Sequence, residues 1–313
     1  MNAAQPRSNI AIIMIACNEA KNIEFSLGSV VGWADQVFVV DSGSKDETVA
    51  LAQSLGATVV HQPWLGYAKQ KNWAIDRLPI TADWAFILDA DEAILPELRD
   101  ELLAISTAPP DSAAAEGFYV NRYFIFLGKR IRHCGYYPSW NLRFFRRGKA
   151  RYEEREVHEH MVVDGRVAYL KGHMEHYDRR GLEVYMDKHN KYSTLEAREI
   201  VRVMRGGAAQ GGLDARLFGN PLQRRRWIKH AVYPRLPAKG LFRFLYMYVL
   251  KLGFLDGLAG LRFSIFISAY EMLIGLKIIE LLQEERELAL RARAPAPAPR
   301  PDSKASPPGT PAS

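Results

Sequence analysis

The stretch Trp84-Ala85-Phe86-Ile87-Leu88-Asp89-Ala90-Asp91-Glu92 decides the reading of this chain. Its apolar run is too short for a helix and reads as a buried strand. Three carboxylates follow within four residues. Like charges this close repel and raise one another's pKa unless a cation neutralises them. A hard divalent ion, Mg²⁺ or Mn²⁺, suits such oxygen ligands and bridges naturally to a diphosphate. The bland alternative is an acidic cap on a helix starting near Pro96, which explains Glu92 well and Asp89 poorly.

Outward from this point the chain alternates strands and helices. Ile10 to Ala16 reads as a buried strand and Ala20 to Trp33 as a helix; Gln36 to Val40 is the second strand. Ser44 and Glu47 form a capping-box signature for a helix reaching about Leu55. Ala57 to Val60 is the third strand, Tyr67 to Arg77 a helix, Trp84 to Leu88 the fourth strand, and another helix opens at Pro96. This β-α-β-α pattern predicts a parallel sheet with helices on both faces, with ligands beyond the carboxyl ends of its strands. Asn18 and Glu19 follow the first strand, Asp41 the second, and Asp89 and Asp91 the fourth. Asp41, followed by Ser42-Gly43-Ser44, either accepts from a base or ribose or simply closes a turn.

From about Gly117 to Leu170, aromatic and β-branched runs predict antiparallel strands closing one side of the sheet. From Gly181 the chain reads as mainly helical, with a break at Gly206-Gly207 and Gly211-Gly212. The expected organisation is a short N-terminus (1–9), a catalytic domain (10–180), a helical region (181–293) and a disordered Ala/Pro-rich tail (294–313).

The chain has 313 residues, 48% of them apolar, enough to bury a full core. A net charge of +7 favours an anionic partner: a nucleotide, a phosphorylated substrate or an acidic membrane surface. Cys17 and Cys134 make neither a metal-ligand spacing nor a disulfide framework, which fits a reducing compartment. A signal peptide and a charge-free transmembrane run are both absent from the pattern, so a cytoplasmic location is expected.

The ordered motifs Ile12-Ile13-Met14-Ile15-Ala16-Cys17-Asn18-Glu19, Val39-Val40-Asp41-Ser42-Gly43-Ser44-Lys45-Asp46-Glu47-Thr48 and Leu88-Asp89-Ala90-Asp91-Glu92 resemble the inverting family 2 glycosyltransferases of the GT-A fold. Gly66-Tyr67-Ala68-Lys69-Gln70-Lys71-Asn72, Arg143-Phe144-Phe145-Arg146-Arg147 and Val157-His158-Glu159 resemble the branch that includes lipopolysaccharide core β-1,4-glucosyltransferases. The resemblance covers roughly residues 10–180. It implies an α/β fold, a mixed and mainly parallel sheet flanked by helices; the C-terminal helical extension reads as membrane-associating from its own residues. It implies that Ala16, Asn18, Glu19 and Asp41 hold the uracil and ribose of a UDP-sugar, with Gln70, Lys71 and Asn72 nearby. Asp89 would face the ribose or the metal, and Asp91 would bind the Mg²⁺ or Mn²⁺ that bridges the diphosphate. His176 could complete the metal shell.

An inverting transfer also needs a base for the acceptor hydroxyl. Candidates lie in Tyr152-Glu153-Glu154-Arg155-Glu156-Val157-His158-Glu159-His160. In an extended run Glu156, His158 and His160 share one face, and Val157 and Glu159 the other. The branch pattern favours Glu159, with Glu156 second and His158 as a neighbour or metal ligand; a solvated hairpin edge is the alternative. Nine Lys or Arg and no Asp or Glu lie between Gly117 and Tyr152. Arg143 and Arg146, among aromatics that can stack on sugars, suit a phosphorylated glycolipid acceptor. No nucleic-acid motif accompanies them.

Gly240 to Leu282 is dense in apolar residues but interrupted by charges, with Arg224-Arg225-Arg226-Trp227-Ile228-Lys229-His230 upstream. It suits a peripheral attachment to the inner face of the cytoplasmic membrane, or packing on the catalytic domain or a second subunit of a homo-oligomer. The expected function is metal-dependent, inverting transfer of a hexose, glucose first, from UDP to a lipopolysaccharide core or related acceptor. A catalytically inactive nucleotide-sugar binder and a nucleotidyltransferase are the alternatives; the latter needs a glycine-rich loop where Ala16-Cys17-Asn18-Glu19 stands.

Overall fold

The computed structural model describes residues 8–109, 114–153, 160–205 and 238–293. Its parallel half is built from β1 (Ile10–Ala16), β2 (Gln36–Asp41), β3 (Thr58–His61) and β4 (Trp84–Ile87), with α1 (Ala20–Leu27), α2 (Thr48–Ser54) and α3 (Tyr67–Arg77) between them. A short β5 (Glu92–Ile94) and α4 (Pro96–Ser106) follow. The other half is β6 (Gly117–Phe126), β7 (Lys129–Ile131), β8 (Trp140–Arg146) and β11 (Val167–His176), with β9 (Ala150–Tyr152) and β10 (Met161–Val163) as a separate pair. Among the described residues, the C-terminal α-helices are α5 (Leu182–Met204), α6 (Lys239–Phe244) and α7 (Gly257–Arg293).

The main sheet runs β3-β2-β1-β4-β8-β6-β11-β5, with β7 on β6. β1 pairs in parallel with β2 and β4, as its continuous apolar sequence requires of a strand covered on both faces. Alternation along β1 builds two cores. Ile10, Ile12 and Met14 pack with Leu27, Phe86, Leu98 and Phe144 on one face. Ala11 and Ile13 pack with Phe38, Ala74 and Phe145 on the other. β8 enters antiparallel to both β4 and β6, which makes the sheet mixed.

The structure changes four expectations. α1 stops at Leu27, and Gly28 to Trp33 continues as turns. The Ser44–Glu47 capping box does not form: α2 begins at Thr48, and the Asp46 carboxylate takes the Thr48 N–H. Ser44 Oγ is committed instead to Asp41 Oδ1 at 2.5 Å. The strands after Gly117 are not all antiparallel, because β11 runs parallel to β6 and extends to His176. Glu92 is not a helix cap but the first residue of β5, fully buried.

Close approach explains one glycine. A Cβ on Gly172 would stand 2.4 Å from Leu98 Cα, so only glycine lets β11 lie against α4. α7 docks on the sheet through Phe263 and Ile267, which pack with Phe126, Ile131 and Met247. It meets α5 through Ile274 and Ile278. Among the described residues no helix is long and apolar enough to cross a membrane. The glycine break after α5, the Arg224–His230 stretch and the tail from Ala294 lie outside the described residues.

Candidate active site

The carboxyl ends of β1, β2 and β4 meet where the sheet order reverses around β1. Ala16 is in register with Asp41, and the Leu88 N–H reaches the Ile13 carbonyl. The loops after β1 and β2 are stitched together. Asn18 adopts a left-handed φ of 55°, which asparagine tolerates. Its N–H donates to Ser44 Oγ at 2.9 Å, and its Oδ1 accepts the Lys45 N–H at 2.8 Å. Asp41 is buried and accepts from the N–H groups of Gly43 and Ser44. Its carboxylate thus shapes the loop first, with exposed His61 Nδ1 3.8 Å away.

Asp89 sits at the centre of a charge cluster. Lys71 Nζ of α3 lies 2.9 Å from its Oδ1, and Arg143 Nη2 of β8 lies 2.6 Å from its Oδ2. The same Arg143 nitrogen lies 2.8 Å from Glu92 Oε1, which also accepts from Arg122 Nη1 at 2.9 Å. Burial would raise the Asp89 pKa, but Arg143 and Lys71 outweigh it and hold the carboxylate well below its usual range. The protein's own cations therefore neutralise Asp89 and Glu92.

Asp91 is handled differently. β5 pairs with β11 so that His176 stands opposite Glu92, next to Asp91. His176 Nε2 lies 3.0 Å from Asp91 Oδ2, and the Tyr177 N–H donates to the Asp91 carbonyl. Burial opposes ionisation of Asp91, and His176 overcomes it, holding the carboxyl below its ordinary value. His176 Nδ1 is buried without a hydrogen-bond partner among the described residues. No group of three or more His, Cys, Asp or Glu side chains gathers around a metal-sized space among the described residues. Asp91 and His176 are the side chains here that could hold an ion.

Other expected residues fall into place around this pair. Gln70 is buried, donating to Ser42 Oγ and the Gln62 carbonyl, both at 3.1 Å. Asn72 is spent on the backbone: its amide makes two 2.9 Å bonds, to the carbonyl and the N–H of Tyr152. Both residues hold the walls of the site. Glu19 accepts from Arg180 Nη1 and from Asn22 Nδ2, each at 2.7 Å. Arg180 also pairs with Asp178 at 2.7 Å. Burial pushes the Glu19 carboxyl up to about 7 against the pull of Arg180. This brace ties the β1 loop to the chain leaving β11. Nothing in the sequence pattern announces Asn22, Asp178 or Arg180, because their contacts span more than 150 residues.

Two residues expected at an acceptor phosphate do not stand free for it. Arg143 is buried and ion-paired with Asp89 and Glu92. Arg146 pairs with Glu116 at 2.9 Å and lies over the Trp84 ring, at the start of β4. β8 runs antiparallel to β4, so three residues move the side chain about 10 Å away from the carboxylates. Glu156, His158 and Glu159 lie outside the described residues. Their flanks, Tyr152 and Met161, pair antiparallel, and Lys71 Nζ stands 5.2 Å from the Tyr152 ring centroid.

The glycosyl transferase family 2 model matches residues 11–177, which contain Asp41, Asp89, Asp91 and His176 but stop just short of Asp178 and Arg180. The lipopolysaccharide core biosynthesis glycosyltransferase LpsC of Rhizobium meliloti is 34% identical over 211 residues, covering 63% of this chain and 73% of that protein. An uncharacterized glycosyltransferase of Rickettsia typhi is 32% identical over 209 residues, covering 62% of this chain and 68% of its own length. Among solved structures, S. aureus TarS 1-349 aligns with a TM-score of 0.42 at 14% identity, covering 88% of this chain and 91% of that one. A Mycobacterium tuberculosis glucosyl-3-phosphoglycerate synthase, in complex with Mn²⁺, UDP and glucosyl-3-phosphoglycerate, aligns with a TM-score of 0.29 at 24% identity. That alignment spans 37% of this chain and 44% of the other, and says nothing about the substrates of this one.

Proposed function

The chain belongs to glycosyl transferase family 2, and from that premise we propose that it transfers a hexose, glucose in our reading, from a UDP-sugar to a lipopolysaccharide core or related glycolipid. Its mixed sheet flanked by helices is GT-A-like. The observation that carries the donor assignment is the contrast between the two aspartates. Asp89 is already neutralised by Lys71 and Arg143, while Asp91 is left beside a single imidazole at the strand ends. That is where a diphosphate and its counter-ion belong in a sheet of this kind.

Asp91 and His176 would hold a divalent ion, which supplies Lewis-acid stabilisation of the departing diphosphate. A carboxylate with an imidazole suits Mn²⁺ better than Mg²⁺, which prefers oxygen alone. The transfer is a single displacement. The acceptor oxygen attacks the anomeric carbon, the bond to UDP breaks, its electron pair leaves on the β-phosphate, and the configuration inverts. The acceptor proton passes to a base, Glu159 in this reading, with Glu156 second and His158 beside it. Lys71 and Arg143 fix Asp89, and Asn72 and Gln70 fix the loops that meet the nucleoside, so the pocket is preorganised. The Asn18 loop and Asp41 take the uracil and ribose.

The same reading puts the protein on the inner face of the cytoplasmic membrane, where its acceptor is held. Leu241, Phe242, Leu250 and Leu258 are each more than half exposed, with Arg243 and Lys251 among them. Apolar side chains with interspersed cations suit an anionic lipid surface. Flotation with phosphatidylglycerol vesicles tests it: the protein should rise with anionic but not neutral vesicles. Dimerisation that buries this face without lipid would contradict it.

The enzymatic claim is tested by incubating the protein with Mn²⁺, a lipopolysaccharide core acceptor and each of several nucleotide sugars. Mass spectrometry should show one added hexose with UDP-glucose. Addition from a GDP- or dTDP-sugar instead, or no addition with any donor, would contradict the proposal.

A further inference from the structure

Among the described residues, the cations that reach Asp89 and Glu92 are ion-paired with them. Lys71, Arg122 and Arg143 each lie within 3 Å of a carboxylate oxygen of Asp89 or Glu92. Arg180 is held by Glu19 and Asp178. Lys188, on α5, has no ion pair of that kind among the described residues, though it is half-buried.

One ring contact and one hydrogen bond place α5. Near its start, Tyr185 packs on Phe124, with ring centroids 6.4 Å apart. Phe124 in turn meets the His176 ring at 5.5 Å, and His176 bonds Asp91 at 3.0 Å. Two turns later, Tyr192 lies against Tyr67 at the first turn of α3, and burial with this neighbour pushes the Tyr67 hydroxyl up to about 12. Tyr67 stands one turn before Lys71 on that helix, and Lys71 reaches Asp89. The helix α5 therefore bridges the site from the His176 wall to the α3 wall. Tyr185 and Tyr192 are about 10 Å apart along its axis, and Lys188 falls between them. The Lys188 ammonium acts electrostatically on Asp91, after burial, His176 and Asp89 in size.

We propose that Lys188 is a substrate-contacting residue of the donor site, its ammonium binding the β-phosphate of the nucleoside diphosphate that leaves. This rests on the UDP-sugar reading above. A lysine with no ion pair among the described residues, beside a site where Lys71, Arg122, Arg143 and Arg180 are ion-paired, answers an anionic group brought by the substrate. It also makes α5, which lies beyond the matched family region, part of the active site. Negative charge grows on the β-phosphate as the bond to the sugar breaks, so the contact strengthens during the transfer.

Calorimetric titration of the full-length protein with UDP and with UMP, each in Mn²⁺, tests this. Lys188→Met should weaken UDP binding roughly 10- to 100-fold, the scale of one hydrogen bond to a charged group, and leave UMP affinity unchanged. Lys188→Arg should retain most of the UDP affinity, which a purely packing role for the side chain would not require. Equal loss for UMP and UDP, or no loss for either, overturns the assignment of Lys188 while the donor reading stands. A wild-type protein that binds neither nucleotide overturns both.

Discussion

Replacing Arg143 with Met separates a buried counter-charge from an acceptor-binding group. Arg143 Nη2 lies 2.6 Å from Asp89 Oδ2 and 2.8 Å from Glu92 Oε1. Its side chain is 6% exposed and that of Glu92 is 0% exposed. Removing the guanidinium leaves Glu92 with Arg122 alone, in a place water does not reach, and leaves Asp89 with Lys71 alone. Breaking a buried pair from one side costs about 3–5 kcal/mol, because the remaining charge is uncompensated. Arg146 supplies the internal comparison. Its pair with Glu116 is partly exposed on both sides, so Arg146→Met should cost about 0–1 kcal/mol. Urea denaturation followed by tryptophan fluorescence reads both values. A loss for Arg143→Met no greater than for Arg146→Met would refute the placement of Arg143 inside the carboxylate cluster and return it to the acceptor.

Asn72→Ala removes both partners of the buried Tyr152 backbone, and we expect a loss of about 2–4 kcal/mol in the same assay, one unpaired-group cost for each end. A loss under about 0.5 kcal/mol, the size of an ordinary surface change, would assign Asn72 to the ligand instead of the wall. Glu19 gives a pH signature. Burial raises its carboxyl from 4.5 to about 7, so the folded state holds a proton that the unfolded chain has released. Its contribution to stability should then be present below about pH 4.5 and be lost as pH rises toward 7. Glu19→Gln should flatten the stability profile across that window; an unchanged slope in the variant would show that Glu19 titrates normally.

The parallel half of the fold is legible because its strands are buried on both faces and read as apolar runs closed by polar loops. Ile10–Ala16 and Trp84–Ile87 needed no partner to be recognised. The alternative of Glu92 as a surface cap fails, because this charge is buried where charge normally marks a surface. Its burial depends on Arg122 and Arg143, which arrive from strands 30 and 51 residues further on. Ser44 reads as a cap but does not act as one for a local reason: its hydroxyl serves the Asp41 turn. For Arg143 and Arg146 the composition was visible but the strand direction was not. An antiparallel β8 puts the first at the carboxylates and the second at the far end of β4. His176 reaches Asp91 through the β5–β11 pairing, a contact across 85 residues. The His176 motif suggested a ligand, whereas the brace of Asn22, Asp178 and Arg180 had no local signature at all.

The most direct test of the central claim is UDP binding by calorimetry, with and without Mn²⁺, in the wild type and in Asp91→Ala. We predict that wild-type UDP affinity rises at least about 10-fold with Mn²⁺, and that Asp91→Ala loses this gain while its affinity without metal stays within about 2-fold. A metal-dependent gain that survives in Asp91→Ala, or UDP binding indifferent to Mn²⁺ in the wild type, would contradict the assignment of Asp91 to the diphosphate end of the donor site.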